Sequence, residues 1–382
     1  MVASRASSFK TLKDRVTRLF ARAEAGTFRI LAPADHWGKS GSRLSILNPE
    51  SGELIQIELS LELAHAAFVN PKKKNQAIVM GQHKQACLVD LSEGQIIKEI
   101  DAEDYFYGHG AFTPDGELFY ASEVHGSGNC GRISVRRSDT LEVLDEMPSF
   151  GPFPHDFVFL SDGHTMAIAN HGIQSAPGKI PHASSLTYVD TRSKKLMGQV
   201  KIPEPEAFAS HMQLLPNDEI LLGTRKQVYD GSEAYLQLRA ELANPDTYLA
   251  AIKEIWKYMK YVPAPMYWIK GEKILREEKF SDFYPHALNT LSFAYAPKLG
   301  VIAITHVEGK MISFWDVKTR KLKKTLLPGK EPRGICVGSE GRDFAVTFTE
   351  GFIQRLDGQT LELDPALKHE LPFGVHITAA KF

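Results

Sequence analysis

Fourteen histidines stand in a chain of 382 residues, and six of them recur in one local context. His65, His109, His155, His211, His286 and His376 each introduce a short apolar segment, and Arg333 holds the same place in a seventh. Neutral imidazoles converging on one point make a strong ligand set for a transition metal. A lone histidine is ordinarily a satisfied structural residue, and repeat folds reuse one polar residue per unit to cap strands. Six at one phase of a repeat point instead to a shared centre. Six imidazolium ions would repel one another, so such a ring stays largely neutral or carries a ligand. Imidazole-only ligation suits iron, copper, zinc or nickel. Zinc prefers four ligands, so a larger ring points first to iron, then to copper, with zinc behind them. Arg333 reads either as the partner of a channel carboxylate or as an anchor for an anion or substrate beside the metal.

A second layer follows from the ends of the next segments: His36, His83, His125, His171 and His306, with Arg225 and Thr349 at the two remaining equivalents. Glu123, Asp104 and Asp156 are the nearby carboxylates that could orient ligand imidazoles.

These residues need elements to position them. From residue 28 the chain reads as short β-strands separated by turns, such as Ala77-Ile78-Val79-Met80 and Leu186-Thr187-Tyr188-Val189-Asp190. Thr113-Pro114-Asp115-Gly116 and Ser161-Asp162-Gly163 supply reversal geometry between antiparallel strands. The leading residues are spaced 44, 46, 56, 75, 47 and 43 apart. A four-stranded unit of roughly 40–50 residues repeated around an axis is the signature of a β-propeller. The two long intervals accommodate insertions at 173–185 and 232–262, the second with helical patterning and the aromatic residues Tyr235, Trp256, Tyr258 and Tyr261. That second insertion, in the fifth blade, leaves on the channel face and reads as a lid. Residues 28–59 lack a histidine-led first strand, and Val375-His376-Ile377-Thr378-Ala379-Ala380 at the carboxyl end supplies one. The expectation is an all-β, seven-bladed propeller spanning 28–382, closed by pairing of amino- and carboxyl-terminal strands. Inner strands then place their first residues at one channel mouth.

Residues 1–27 carry Arg5, Lys10, Lys13, Arg15, Arg18 and Arg22, with Leu12, Val16, Leu19 and Phe20 at helical spacing. They read as a basic amphipathic helix packed outside the propeller, with membrane-surface contact the less favoured reading. There are 45 basic and 46 acidic residues, so general electrostatic attraction to nucleic acid is excluded. Cys87, Cys130 and Cys336 are odd in number and widely spaced, which argues against a disulfide framework or a cysteine–zinc site. Gly126-Ser127-Gly128-Asn129-Cys130-Gly131 matches a dinucleotide-binding pattern, but a strand, not a helix, follows it. Phe314-Trp315-Asp316 is a single Trp-Asp match and shows strand chemistry only. Nothing resembles a secretory apolar region, so the expected location is cytoplasmic.

Tyr107-Gly108-His109-Gly110-Ala111-Phe112, the Pro-Asp-Gly turn after it, Pro154-His155-Asp156-Phe157 and Val375-His376-Ile377 resemble the bacterial domain-of-unknown-function family 1513. The resemblance spans about residues 28 to 382. It implies a seven-bladed propeller and no established activity. It also implies export to the periplasm and an iron-uptake context. The leading reading is a metal-binding propeller that handles iron or uses it in redox chemistry; as an enzyme it would be a metal-dependent oxidoreductase. The alternative is a protein-interaction platform whose channel histidines are structural or pH-sensing.

Overall fold

The structure is a computed structural model that describes residues 26–35, 41–103, 105–125, 130–172, 183–229, 231–241, 247–279, 284–371 and 374–382. The basic amino-terminal segment therefore lies almost wholly outside the described residues, as do most of 173–185, His36 and Asp104.

Burial patterns explain why these segments form strands. The central strand Gln76–Gly81 is buried at five consecutive residues, as expected where both faces of a sheet are covered. The outer strand Lys321–Leu326 alternates exposed and half-buried residues, as expected at a sheet edge facing water. Turns recur with one chemistry. The carboxylates of Asp90, Asp190, Asp316 and Asp357 accept backbone N–H groups two or three residues on. The chain then turns through left-handed backbone at Gly94, Lys194, Arg320 and Leu361.

The described strands form seven antiparallel sheets, and the protein is an all-β seven-bladed propeller. Blade 1 joins Thr378–Lys381 to Phe28–Asp35, Ser42–Leu47 and Leu54–Leu59. Blades 2, 3 and 4 start with inner strands Ala64–Val69, Tyr105–Phe112 and Pro154–Phe159. Blades 5, 6 and 7 start with Ala207–Leu215, Thr290–Ala296 and Pro332–Val337. Each blade buries its two faces against its neighbours. Seven apolar clusters result, one between each successive pair of blades. The cluster of Ile30, Ala32, Leu47, Cys336, Ile353 and Ile377 packs blade 7 onto blade 1 and closes the ring.

Blade 5 departs from the plan. Its second strand, Glu219–Tyr229, runs past the blade and pairs over Lys226–Tyr229 with an extra strand, Met259–Val262. Helices α1 (Glu233–Glu241) and α2 (Tyr248–Ile255) lie between the two, with Tyr235, Ala251 and Ile255 buried. The insertion thus carries two short helices, and the added strand Met259–Val262 joins it to the propeller.

The tail strand pairs with Phe28–Asp35 from Phe28↔Lys381 to Leu31↔Thr378, and the Thr378 hydroxyl donates to the Ala67 carbonyl of blade 2 at 2.7 Å. Removing residues 378–382 should expose an unpaired strand edge in blade 1. Size-exclusion chromatography should show self-association, and calorimetry a transition lowered by several degrees. An unchanged monomer with unchanged melting would show that the tail does not fasten the ring.

Candidate metal centre

Inner strands carry the centre, and a local irregularity aims its side chains. Blades 2 to 7 each have a register shift at the start of the inner strand: Ala64/Ala66, Phe106/Gly110, Pro154/Asp156, Ala209/Met212, Thr290/Phe293 and Pro332/Ile335. A bulge frees a residue from the ladder and re-aims its side chain. His65, His109, His155 and His211 sit in four of these bulges. Gly108, at φ +90°, belongs to the same device, because a Cβ there would come within 2.6 Å of the His65 ring.

These four histidines are buried, and one ring nitrogen of each lies within 4.8 Å of those of the other three. Nε2 of His65 is 3.1 Å from Nε2 of His109, and Nε2 of His155 is 3.0 Å from Nε2 of His211. His376 joins them, its ring centroid 4.7 Å from that of His65 and 4.6 Å from that of His211. Its backbone N–H donates to the His65 carbonyl at 3.3 Å, which ties the tail to blade 2.

The surroundings orient two of the rings. His109 Nδ1 lies 3.3 Å from Asp156 Oδ1. Asp156 is itself fixed by the backbone N–H groups of Met212 and Phe157, both at 2.9 Å. A proton on Nδ1 facing that carboxylate leaves Nε2 of His109 with its lone pair toward the cluster. His211 Nδ1 lies 3.0 Å from Ser210 Oγ and faces the Thr290 carbonyl, which favours the same tautomer. Buried Nδ1 of His155 and Nε2 of His376 have no hydrogen-bond partner among the described residues. Burial, reinforced by the neighbouring imidazoles, holds His65, His155, His211 and His376 well below the ordinary imidazole range. Neutral imidazole is the form that ligates metal.

The second layer divides. His171 is buried against His155, their ring centroids 4.3 Å apart, and its Nδ1 is 3.2 Å from the Tyr107 hydroxyl. Tyr107 was not singled out from the sequence; its place at the start of a bulge beside His109 was the available signal. Arg225 occupies the place in blade 5 that His171 has in blade 4, since Thr224 and Asn170 pair with equivalent inner-strand residues. Arg333 donates from Nε to Thr349 Oγ1 at 2.8 Å. His83 is buried with its Nδ1 3.8 Å from Glu62. His125 ends a strand, and its side chain lies outside the described residues.

Three expected residues stand elsewhere. His286 is exposed, in a 3₁₀ turn (Tyr284–His286) ahead of the inner strand of blade 6. Thr290 pairs with His306 as Pro154 pairs with Asn170, so the register equivalent of His155 is Leu291. His306 likewise matches Asn170 rather than His171. One residue of offset turns a side chain to the other face of a sheet. The His306 ring accordingly lies inside blade 6, between Thr290 Oγ1 at 3.1 Å and Ser313 Oγ at 2.9 Å, and burial lowers its pKa to about 3. Glu123, expected to support ligands, instead accepts from Arg136 at 2.8 Å and Arg132 at 3.1 Å, and from Ser134 Oγ. It is the buried counter-charge of blade 3.

A seven-bladed ring with buried imidazoles clustered on its axis defines a propeller with a candidate metal centre. The chain belongs to the family described as "Protein of unknown function (DUF1513)", which matches residues 61–264. Solved structures of similar fold include hydrazine synthase of Kuenenia stuttgartiensis, with TM-score 0.60 and 15% identity, covering 82% of this chain and 89% of that chain. They also include dihydro-heme d1 dehydrogenase NirN in complex with DHE, with TM-score 0.56 and 13% identity, covering 94% of this chain and 76% of that one. The carboxyl-terminal WD40 domain of Sif2 has TM-score 0.57 and 11% identity, covering 92% and 89%. At these identities the likeness is one of fold. No curated protein matches the sequence.

Two predictions follow from the charges. Glu123→Ala strands the buried Arg136, while Arg132 keeps Glu103 and Glu146, and urea denaturation should show a loss of about 3–5 kcal/mol. A loss below about 1 kcal/mol would mean that solvent replaces the carboxylate. The pH dependence of the metal-free protein follows from His65, His155, His171, His211 and His376, all held below their ordinary range chiefly by burial. Their stabilising contribution is complete above the unfolded pKa near 6.5 and is lost as pH falls, because the unfolded chain takes up protons that the folded chain refuses. Each such proton steepens the slope by about 1.4 kcal/mol per pH unit. Denaturation midpoints between pH 7.5 and 5 should fall steeply, and less so in His155→Gln. A flat profile would show that the cluster protonates without cost.

Proposed function

We propose that this propeller binds a transition metal ion at the five-histidine cluster, with iron first and copper next, and that it handles the metal or uses it in redox chemistry. The observation that carries this reading is the convergence of four buried imidazoles to within 4.8 Å. Metal–nitrogen bonds of about 2.0–2.1 Å put neighbouring ligand nitrogens roughly 2.9–3.4 Å apart in octahedral or tetrahedral sites. The Nε2 contacts of 3.0 and 3.1 Å lie in that range, so a small ion fits after minor adjustment. Nitrogens already in contact leave no slot for a macrocycle, which favours a bare ion over a heme-like group.

Ligand count favours iron over zinc. Four imidazoles converge, and His376, its ring centroid 4.7 Å from that of His65, would be the fifth ligand, one more than a tetrahedral zinc site takes. The bulge of blade 6 holds Leu291 at the place of His155 and Ser292 at the place of His211, the latter accepting from the Ile335 N–H at 3.2 Å; neither supplies an imidazole, so a six-coordinate metal would keep a position for exchange. Asp156 behind His109 is the second-layer carboxylate expected of a metal-ligating histidine.

Plasma mass spectrometry of untagged protein should find about one equivalent of iron or copper per chain, retained because the buried ligands are already neutral. The His109→Ala/His155→Ala variant should lose the metal while keeping the circular dichroism of the β-sheet. Protein that stays metal-free after reconstitution, or a variant that keeps its metal, would refute the assignment.

A further inference from the structure

Blades 1 and 7 leave a cavity where the ring closes, and the chain enters the propeller at its edge. The cavity measures about 320 Å³. Clefts that hold ligands begin at about that size, in a range of about 300–1,000 Å³. Phe28, Ile30 and Leu47 of blade 1 and Phe344, Ile353 and Leu367 of blade 7 form its apolar walls. Gly338 and Ala345 also line it, and neither brings a large side chain to fill the space. The rim is charged: Glu50, Glu340 and Asp343 stand there with Arg342 and Arg355, three carboxylates to two guanidiniums. Arg355 Nε is held by Asp343 at 2.7 Å, and the Ser339 hydroxyl donates to Glu50 across the seam at 3.5 Å. Glu50 and Glu340 are exposed.

Phe28 is both a wall of this cavity and the first residue of the blade 1 strand Phe28–Asp35. The carbonyl of Thr27, just before it, accepts from the Phe382 N–H at 3.4 Å. Residues 1–25 precede this point and lie outside the described residues. Their sequence holds Leu12, Val16, Leu19 and Phe20 at helical spacing, and six basic residues against Asp14 and Glu24. Phe20 stands eight positions before Phe28. Eight residues span up to about 28 Å when extended and about 12 Å as helix, enough in either form to turn back over the cavity.

We propose that the cavity between blades 1 and 7 is the docking site of the chain's own basic segment, with Leu19 and Phe20 seated among the apolar walls and Arg18 and Arg22 over the rim carboxylates. Apolar grooves take amphipathic segments in this way, through anchors three and four residues apart. Tethering supplies the rest. A segment attached at the cavity's edge acts at an effective concentration of about millimolar, so contacts too weak for a free peptide suffice. This docking is independent of the metal centre.

The full chain carrying p-benzoylphenylalanine in place of Phe20, irradiated in dilute solution, tests the placement. It should cross-link within one molecule to Leu47, Phe344, Ile353 or Leu367, read by mass spectrometry of the digest. Cross-links elsewhere on the propeller, only between molecules, or none at all overturn the proposal. In limited trypsin digestion of the parent, Arg18 and Arg22 should be cut at least tenfold more slowly than Arg5. Leu19→Ser/Phe20→Ser, which changes no residue of the propeller, should bring the three rates together. Ala345→Trp should do the same by filling the cavity, and the serine variant decides where the tryptophan variant does not fold. Equal rates in the parent overturn the docking. Protection that arises only when phosphatidylglycerol vesicles are added assigns the segment to a membrane surface and overturns it too.

Discussion

Every blade is a sheet that must bury both faces, and only a closed ring lets seven of them do so. The chain meets this demand with seven apolar clusters, each shared by two successive blades. The join is the costly step, since the chain ends there and leaves an open edge. Thr378–Lys381 pairs with Phe28–Asp35, and Ile377 packs with Ile30 and Cys336. The same tail carries His376 into the cluster, so closure of the fold and completion of the centre are one event. A propeller that opened at this seam would lose an imidazole as well as an interface.

Much of this was legible in the sequence because repeats expose phase. The strand-ending aspartates mark turns whose chemistry is local, and local chemistry reads well. The histidine phase was legible for His65, His109, His155, His211 and His376 for a different reason. Four of them lie in inner-strand bulges, which re-aim a side chain whatever the exact register, and His376 lies just ahead of the tail strand. Register did matter for His286 and His306. Pro285-His286-Ala287 copies the look of Pro154-His155-Asp156, but the strand begins at Thr290, after a 3₁₀ turn. His306 missed the channel by one residue, which in a strand means the opposite face. Glu123 was misread because a carboxylate's partners on adjacent strands are not visible along the chain; Arg132 and Arg136 follow it by the length of one hairpin.

The electrostatics of the axis follow from burial more than from any single contact. Imidazoles in mutual contact cannot all be charged, and desolvation is the largest cause that keeps His65, His155, His211 and His376 neutral. Asp156 then has a specific task. One carboxylate, anchored by two backbone N–H groups, sets the tautomer of His109 without bringing a negative charge into the ring contact itself. Tyr107 and His171 extend the same hydrogen-bonded shell on the blade 4 side.

Repetition makes a symmetric ring the default, so departures from it carry the information. Four successive blades put histidine at the bulge, and blades 6 and 7 put leucine and arginine there. A structural cap would serve all blades alike, because each inner strand has the same backbone groups to satisfy. Leu291 satisfies none, yet its strand keeps the same bulge and the same pairing as the others. The histidines are thus not what the bulge requires. They are concentrated on one side of the axis, and the charged exceptions, Arg225 and Arg333, flank the other. That polarity is hard to derive from strand capping, since the inner strands of blades 6 and 7 keep the bulge and the pairing whatever residue they carry there.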